Sequence, residues 1–282
     1  MNSVVTRLGI LSVTLTVMSF ISMNVSEARI EPEDIVAMWL FDEVEKDVTK
    51  DLSGNLHHAT LVGNPELVEG KFGKAFAFGK GKYLEVPHHR KLQIKEVISI
   101  SVWVKRPLRQ DANDIAEAPF YIMDKGGNWG FGQQGQANYG IALHKILKNM
   151  FFFFFRGGFR GVEGIPDDQW HHYVAVAKHN EADPKIYIDG IPREIALRDG
   201  EKRIALFPDS KRNLHIGALI PERFDSFSEN VIDELVIFNA VLNEAEVIKL
   251  KSGIENTLFD VSASGKLATT WGNLKRGWYI LP

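Results

Sequence analysis

From Ile35 onward, short apolar-alternating runs are separated by Gly, Asn, Asp or Pro. The runs are "IVAMWLF", "KAFAFG", "KYLEVP", "ISISVWVK", "FYIMDK", "YGIALH", "NMFFFFF", "WHHYVAVAKH", "KIYIDG", "NLHIGA" and "VIDELVIF". A period of two is the signature of a strand with one face toward a core. In "ISISVWVK" it sends Ile98, Ile100, Val102 and Val104 one way and Ser99, Ser101 and Trp103 the other. In "IYIDGIP", Asp189-Gly190 supplies the two-residue turn of a hairpin. One helix is predicted: Asn243 caps it, Glu246 completes a capping box, Val247, Leu250 and Ile254 recur at helical spacing, and Gly253 breaks it. Many strands and a single short helix predict an all-β fold, a two-sheet antiparallel jelly-roll sandwich.

The run Phe151 to Phe155 is the sharpest feature of the pattern. Five residues fall far short of the roughly 20 needed to span a bilayer as a helix. As a strand, the run puts Phe151, Phe153 and Phe155 on one face and Phe152 and Phe154 on the other. One set fills the layer between the sheets. Two outcomes are open for the other: covering loops, or a platform on which sugar rings stack beside Arg156.

Composition narrows the class little: 282 residues, 45% hydrophobic, 24% charged and a formal net charge of -3 are ordinary globular values. No basic stripe points to nucleic acid. The chain has no cysteine, which excludes disulfides and cysteine-based metal or nucleophile sites. The N-terminus adds a compartment. A basic lead, the apolar "LGILSVTLTVMSFISM" and the small-x-small "SEA" read as a secretion signal over Met1–Ala28, cut before Arg29. The expected location is outside the cytoplasm, secreted, periplasmic or at the cell surface. No stable membrane insertion is expected of the mature chain. A single domain then runs over 29–253, and 254–282 forms a tail whose strand-like "KLATTW" suits an edge strand.

In order along the chain, "AMWLFDEVEKDVTKDLSGNLHHATLVG", "GKFGKAFAFGKGKYLEVP", "ISISVWVK", "DDQWHHYVAVAKHNEADPKIYIDG", "LHIGA" and "VIDELVIFNAVLNEAEVIKL" resemble the laminin-G-like jelly roll. This is a domain of the concanavalin A-like lectin and glucanase superfamily, in its bacterial secreted type. The resemblance covers Ile35 to Leu250. It implies two curved sheets, the concave one commonly holding a ligand, and often a structural calcium ion. Val44 and Ala59 stand where the family usually has glycines.

Calcium prefers several oxygen ligands on loops. Asp42 at the end of the first strand, Asp51 opening "DLSGN" and Asp233 in the last strand are its candidates; the alternative is an Asx turn at Asp51 and strand-end capping by the other two. Each adjacent histidine pair offers one ligand to a given site, because neighbours on a strand face opposite ways. For a ligand, the candidates are Trp129 and Phe131 in the amide-rich loop 124–140, Tyr139 after it, Phe152, Phe154 and Arg156, with Arg223 in a second loop. Amides suit hydroxyls because they donate and accept. Glycosidases of this superfamily set acids on alternate positions of one strand; here Glu229 and Asp233 share a strand face at too long a spacing. The expected function is therefore a non-catalytic carbohydrate-binding module for polysaccharide or glycan. An adhesion or protein-recognition module is the alternative, and a glycoside hydrolase stands third.

Overall fold

The alternation closes into two antiparallel sheets. The computed structural model describes residues 30–106, 120–126, 138–144, 150–165, 167–206, 211–219 and 229–259. Its strands in the first half are β1 (Ile35–Trp39), β2 (Val44–Glu45), β3 (Val48–Thr49), β4 (Ala59–Val62), β5 (Glu66–Glu69), β6 (Lys74–Ala77), β7 (Tyr83–Val86), β8 (Val97–Lys105) and β9 (Phe120–Lys125). The second half gives β10 (Tyr139–Leu143), β11 (Phe151–Phe155), β12 (Gly158–Val162), β13 (Trp170–Lys178), β14 (Lys185–Ile188), β15 (Ile191–Arg193), β16 (Leu197–Gly200), β17 (Leu214–Ile216) and β18 (Val231–Phe238). Two helices follow, α1 (Glu244–Leu250) and α2 (Ile254–Phe259). The smaller sheet runs β15-β14-β13-β8-β18-β6-β5, with β1 also paired to β18. The larger runs β16-β12-β11-β10-β9-β17-β7-β4-β3-β2.

Local signals explain the elements. In β8 the Ile98, Ile100, Val102 and Val104 side chains enter the inter-sheet core, and Ser99, Ser101 and Trp103 face the other way. Asp189 and Gly190 both take left-handed backbone angles, φ 55° and 81°, which suit the tight hairpin of β14 and β15. Asn243 accepts the Glu246 N–H while Glu246 accepts the Asn243 N–H, the reciprocal box that starts α1. Gly253 does not end the helical segment. At φ 103° it turns the chain into α2, so the first residues of the expected tail are helical. Ile254 and Leu258 of α2 join Val247 and Leu250 of α1 over Val174, Val176, Val236 and Phe238, sealing the outer face of the smaller sheet.

All five phenylalanines are buried. Phe151, Phe153 and Phe155 fill the layer between the sheets, and Phe151 stacks on Tyr173 with centroids 4.8 Å apart. Phe152 and Phe154 leave from the outer face of the larger sheet and meet Tyr121, Ala142, Met150 and Leu219. Gly161 opposes Phe152 in register, and a Cβ there would lie 2.5 Å from its ring, so the ring rests directly over the glycine.

The unpaired edge of β1 is closed by one turn. Asp51 accepts from the backbone N–H groups of Met38, Ser53 and His57 and from the Ser53 hydroxyl. The Asn55 amide donates to the carbonyls of Ile35 and Val36. These side chains replace a neighbouring strand, which satisfies backbone groups that burial would otherwise leave unpaired.

Candidate functional site

The outer face of the larger sheet gathers residues that are far apart in the chain. Strand pairing sets Phe154, Gly140, Asp124, His215, Glu85 and Thr60 side by side in one row across β11, β10, β9, β17, β7 and β4. Gly140 makes room in the row, since a Cβ there would stand 3.1 Å from the Asp124 carboxylate. Asp124 is fully buried and His215 is 7% exposed, whereas Glu85 is partly open and Thr60 is exposed. His215 places Nδ1 3.1 Å from the Leu219 carbonyl and Nε2 3.4 Å from a Glu85 oxygen. Both ring nitrogens thus face oxygen atoms, one of a carbonyl and one of a carboxylate. The edge of Tyr83 packs on this ring at 5.7 Å.

Asn138 stands one residue before Tyr139, its N–H donating to the Lys125 carbonyl at 2.8 Å. Alternation turns its side chain to the outer face. It is 1% exposed, and among the described residues neither its Nδ2 nor its Oδ1 has a hydrogen-bond partner. Sequence reasoning missed Asn138, Asp124, His215 and Glu85; the amide-rich character of 124–140 was the only local signal among them.

Of the expected ligand residues, Trp129, Phe131 and Arg223 lie outside the described residues. Tyr139 is a correction. It pairs with Phe155 and lies in the inter-sheet core, its hydroxyl donating to the Leu92 carbonyl at 3.0 Å, so it faces away from Phe152 and Phe154. Those two are on the outer face as alternation requires, but at 2% and 5% exposure they present no open platform. Arg156 follows β11 and is half-buried.

The three calcium candidates do not converge. Asp51 is taken up by the β1 edge, as the Asx-turn alternative supposes. Asp42 accepts from the Lys74 N–H and Asp233 from the N–H groups of Phe72 and Glu234, so both clasp the β5–β6 hairpin. Burial pushes Asp233 up to about 7 and Glu234 up to about 8, and the negative charge of Asp42 adds to both shifts. Among the described residues no three His, Asp or Glu side chains are grouped to hold an ion. The histidine neighbours part as expected: His171 is held between Asp167 and Asp189, and His172 contacts Ser101 on the other face.

The pattern over residues 78–248 matches the model of one family, described as the concanavalin A-like lectin/glucanases superfamily. The chain belongs to it. No curated protein matches the chain. Among solved structures, domain 4 of the extracellular arabinanase AbnA from Geobacillus stearothermophilus, in complex with arabinotriose, is 19% identical with TM-score 0.53, over 77% of this chain and 98% of that one. Trypanosoma rangeli sialidase in complex with the inhibitor DANA is 16% identical with TM-score 0.54, over 77% of this chain but 32% of the sialidase. The binding domain of botulinum neurotoxin DC in complex with rat synaptotagmin II is 16% identical with TM-score 0.52, over 78% and 52%. At these identities the likeness is one of fold.

Proposed function

We propose that the chain is an exported, non-catalytic carbohydrate-binding module whose ligand lies on the outer face of the larger sheet, over Tyr83, Glu85 and Thr60 and beside His215. The observation that carries this reading is the cross-strand row, where a carboxylate, an imidazole and a hydroxyl stand side by side with an aromatic edge next to them. Such groups read sugar hydroxyls as paired donors and acceptors. A relative of the same fold is in complex with arabinotriose, which agrees with a glycan ligand. Glu85 and Asp124 sit two strands apart with His215 between them, and Asp124 is fully buried. Only one carboxylate of the row therefore reaches the surface, which favours binding over the paired-acid chemistry of a glycosidase.

Retention on a panel of insoluble polysaccharides tests it. Glu85→Gln with Tyr83→Ala should weaken retention at least tenfold and leave the melting temperature nearly unchanged. Unchanged retention sinks the placement, and no retention on any polysaccharide sinks the glycan. Protein recognition is the second reading, favoured by the burial of both phenylalanine sets.

Calcium enters only as a proposal for Asp42 and Asp233, which are in electrostatic reach of one another, without Asp51. An ion there would offset the crowding of carboxylates, so a chelator should lower the melting temperature by several degrees. Melting that is indifferent to chelator and to added calcium removes the ion from the account.

A further inference from the structure

Histidines gather where the β4–β7 pair ends. The two strands are antiparallel, so His57 and His58, just before β4, stand beside His89, just after β7. The His57 and His89 rings lie 4.8 Å apart between centroids. His57 and His58 also end the turn that closes the edge of β1.

Two of these rings are bonded in a way that only a neutral imidazole allows. A backbone N–H donates, so His58 Nδ1, 3.0 Å from the Asp51 nitrogen, and His89 Nδ1, 3.2 Å from the Lys91 nitrogen, must accept. A proton on either atom turns an acceptor into a donor and breaks that bond. The third ring, His57, is 4% exposed, and its Nε2 has no hydrogen-bond partner among the described residues. Burial lowers its pKa, opposed by the carboxylate of Asp51 and reinforced by His89, Lys91 and His58. Asp51 already accepts from the N–H groups of Met38, Ser53 and His57 and from the Ser53 hydroxyl. His88 beside them is held down by desolvation and then by Lys125, His89 and Lys211.

Both accepting bonds lead to the edge of β1. Asp51 holds the Met38 N–H directly. The turn capped by His89 presents Lys91, whose ammonium donates to Asn55, and the Asn55 amide holds the carbonyls of Ile35 and Val36.

We propose that His57, His58 and His89 form a pH-operated clasp, which pins the turn 51–58 onto β1 when neutral and releases it when protonated. Histidine is the side chain whose charge changes between pH 5 and 8. A group that the fold needs neutral stabilises it above the pH at which the unfolded chain takes up the proton, and that contribution is lost below it. Acid therefore opens the clasp. The opening is local: it uncovers backbone groups of β1 and loosens the ends of β4 and β7 while the central strands stay paired.

Hydrogen exchange of the ¹⁵N-labelled mature chain tests this without any ligand, so the result does not depend on the glycan reading. Protection factors, which correct for the intrinsic pH dependence of exchange, should fall at least tenfold for the Met38 and His57 amides between pH 7.5 and pH 5.5. Amides of β8 and β13 should fall less than threefold. The decisive variant is His58→Asn with His89→Asn, because asparagine keeps an accepting oxygen that does not titrate. Its Met38 and His57 amides should fall less than threefold. His89→Asn alone, at an exposed position that keeps the fold, should remove part of the wild-type fall. A wild-type fall no larger than that of β8 and β13, or an equal fall in the double variant, overturns the proposal.

Discussion

Replacing Arg160 with alanine should destabilise the fold by about 2–4 kcal/mol, as expected when several backbone carbonyls lose one buried charged donor. The guanidinium is 2% exposed and spends its donors on several elements at once. Nε donates to the Ala182 carbonyl and to Asp183, Nη1 to the carbonyls of Phe159 and Asp199, and Nη2 to the Glu201 carbonyl. Its Cζ also lies 5.0 Å from the centroid of the Phe155 ring. The side chain therefore joins β12 to β16, to the Ala182–Asp183 loop and to the core. Alanine would leave four backbone carbonyls without this donor, while Asp183 keeps Arg198. Lysine carries the charge but not the fork, so Arg160→Lys should recover only a minor part of the loss. Urea unfolding of the three proteins measures it. A loss below about 1 kcal/mol for alanine would mean that the network is not holding these elements together.

The second large effect is on acid stability, and it resides in His172. Its ring is fully buried beside Trp103 at 5.2 Å, and burial pushes its pKa down to about 3. Below pH 6.5 the unfolded chain therefore binds a proton here that the native chain does not. Stability from this group is constant above that pH and falls as pH drops from about 6.5 toward 3, by on the order of 4 kcal/mol in full. Asp233 and Glu234 act the opposite way: their raised pKa values favour the native state at low pH and lose that contribution as pH rises through about 7 and 8. His171, raised by its bonds to Asp189 and Asp167 against the desolvating effect of burial, likewise loses its contribution as pH rises. The difference between the wild-type chain and His172→Gln isolates the one group. Unfolding free energies at pH 7 and pH 4 should show the wild type losing at least 2 kcal/mol more than the variant on acidification. Parallel pH profiles would contradict the assignment.

The parts of the fold that were legible in sequence are those with local causes. Period-two runs gave the strands, Asp189-Gly190 gave its hairpin, and Asn243 with Glu246 gave the start of α1. The "DLSGN" stretch announced an Asx turn, but not that its side chains would close the edge of β1. Tyr139 follows an amide-rich loop and so reads as a ligand residue, but the phase of alternation is set by pairing, here with Phe155, which turns it into the core. α2 was hidden because glycine reads as a stop, whereas Gly253 bends the chain between two helices. The outer-face row could not be read at all. His215 and Glu85 are 130 residues apart and meet only because β17 lies beside β7. A search for acids along one strand passes over such a row, since sheets place chemistry across strands as well as along them.

The most direct measurement is an NMR titration of the ¹⁵N-labelled mature chain with soluble oligosaccharides, arabinotriose first among them. Fast-exchange shifts should be confined to amides of β4, β7 and β17, strongest near Thr60, Glu85 and His215, and lost in Glu85→Gln with Tyr83→Ala. Shifts gathered instead around Arg90 to Val97, or no shift with any oligosaccharide, would contradict it.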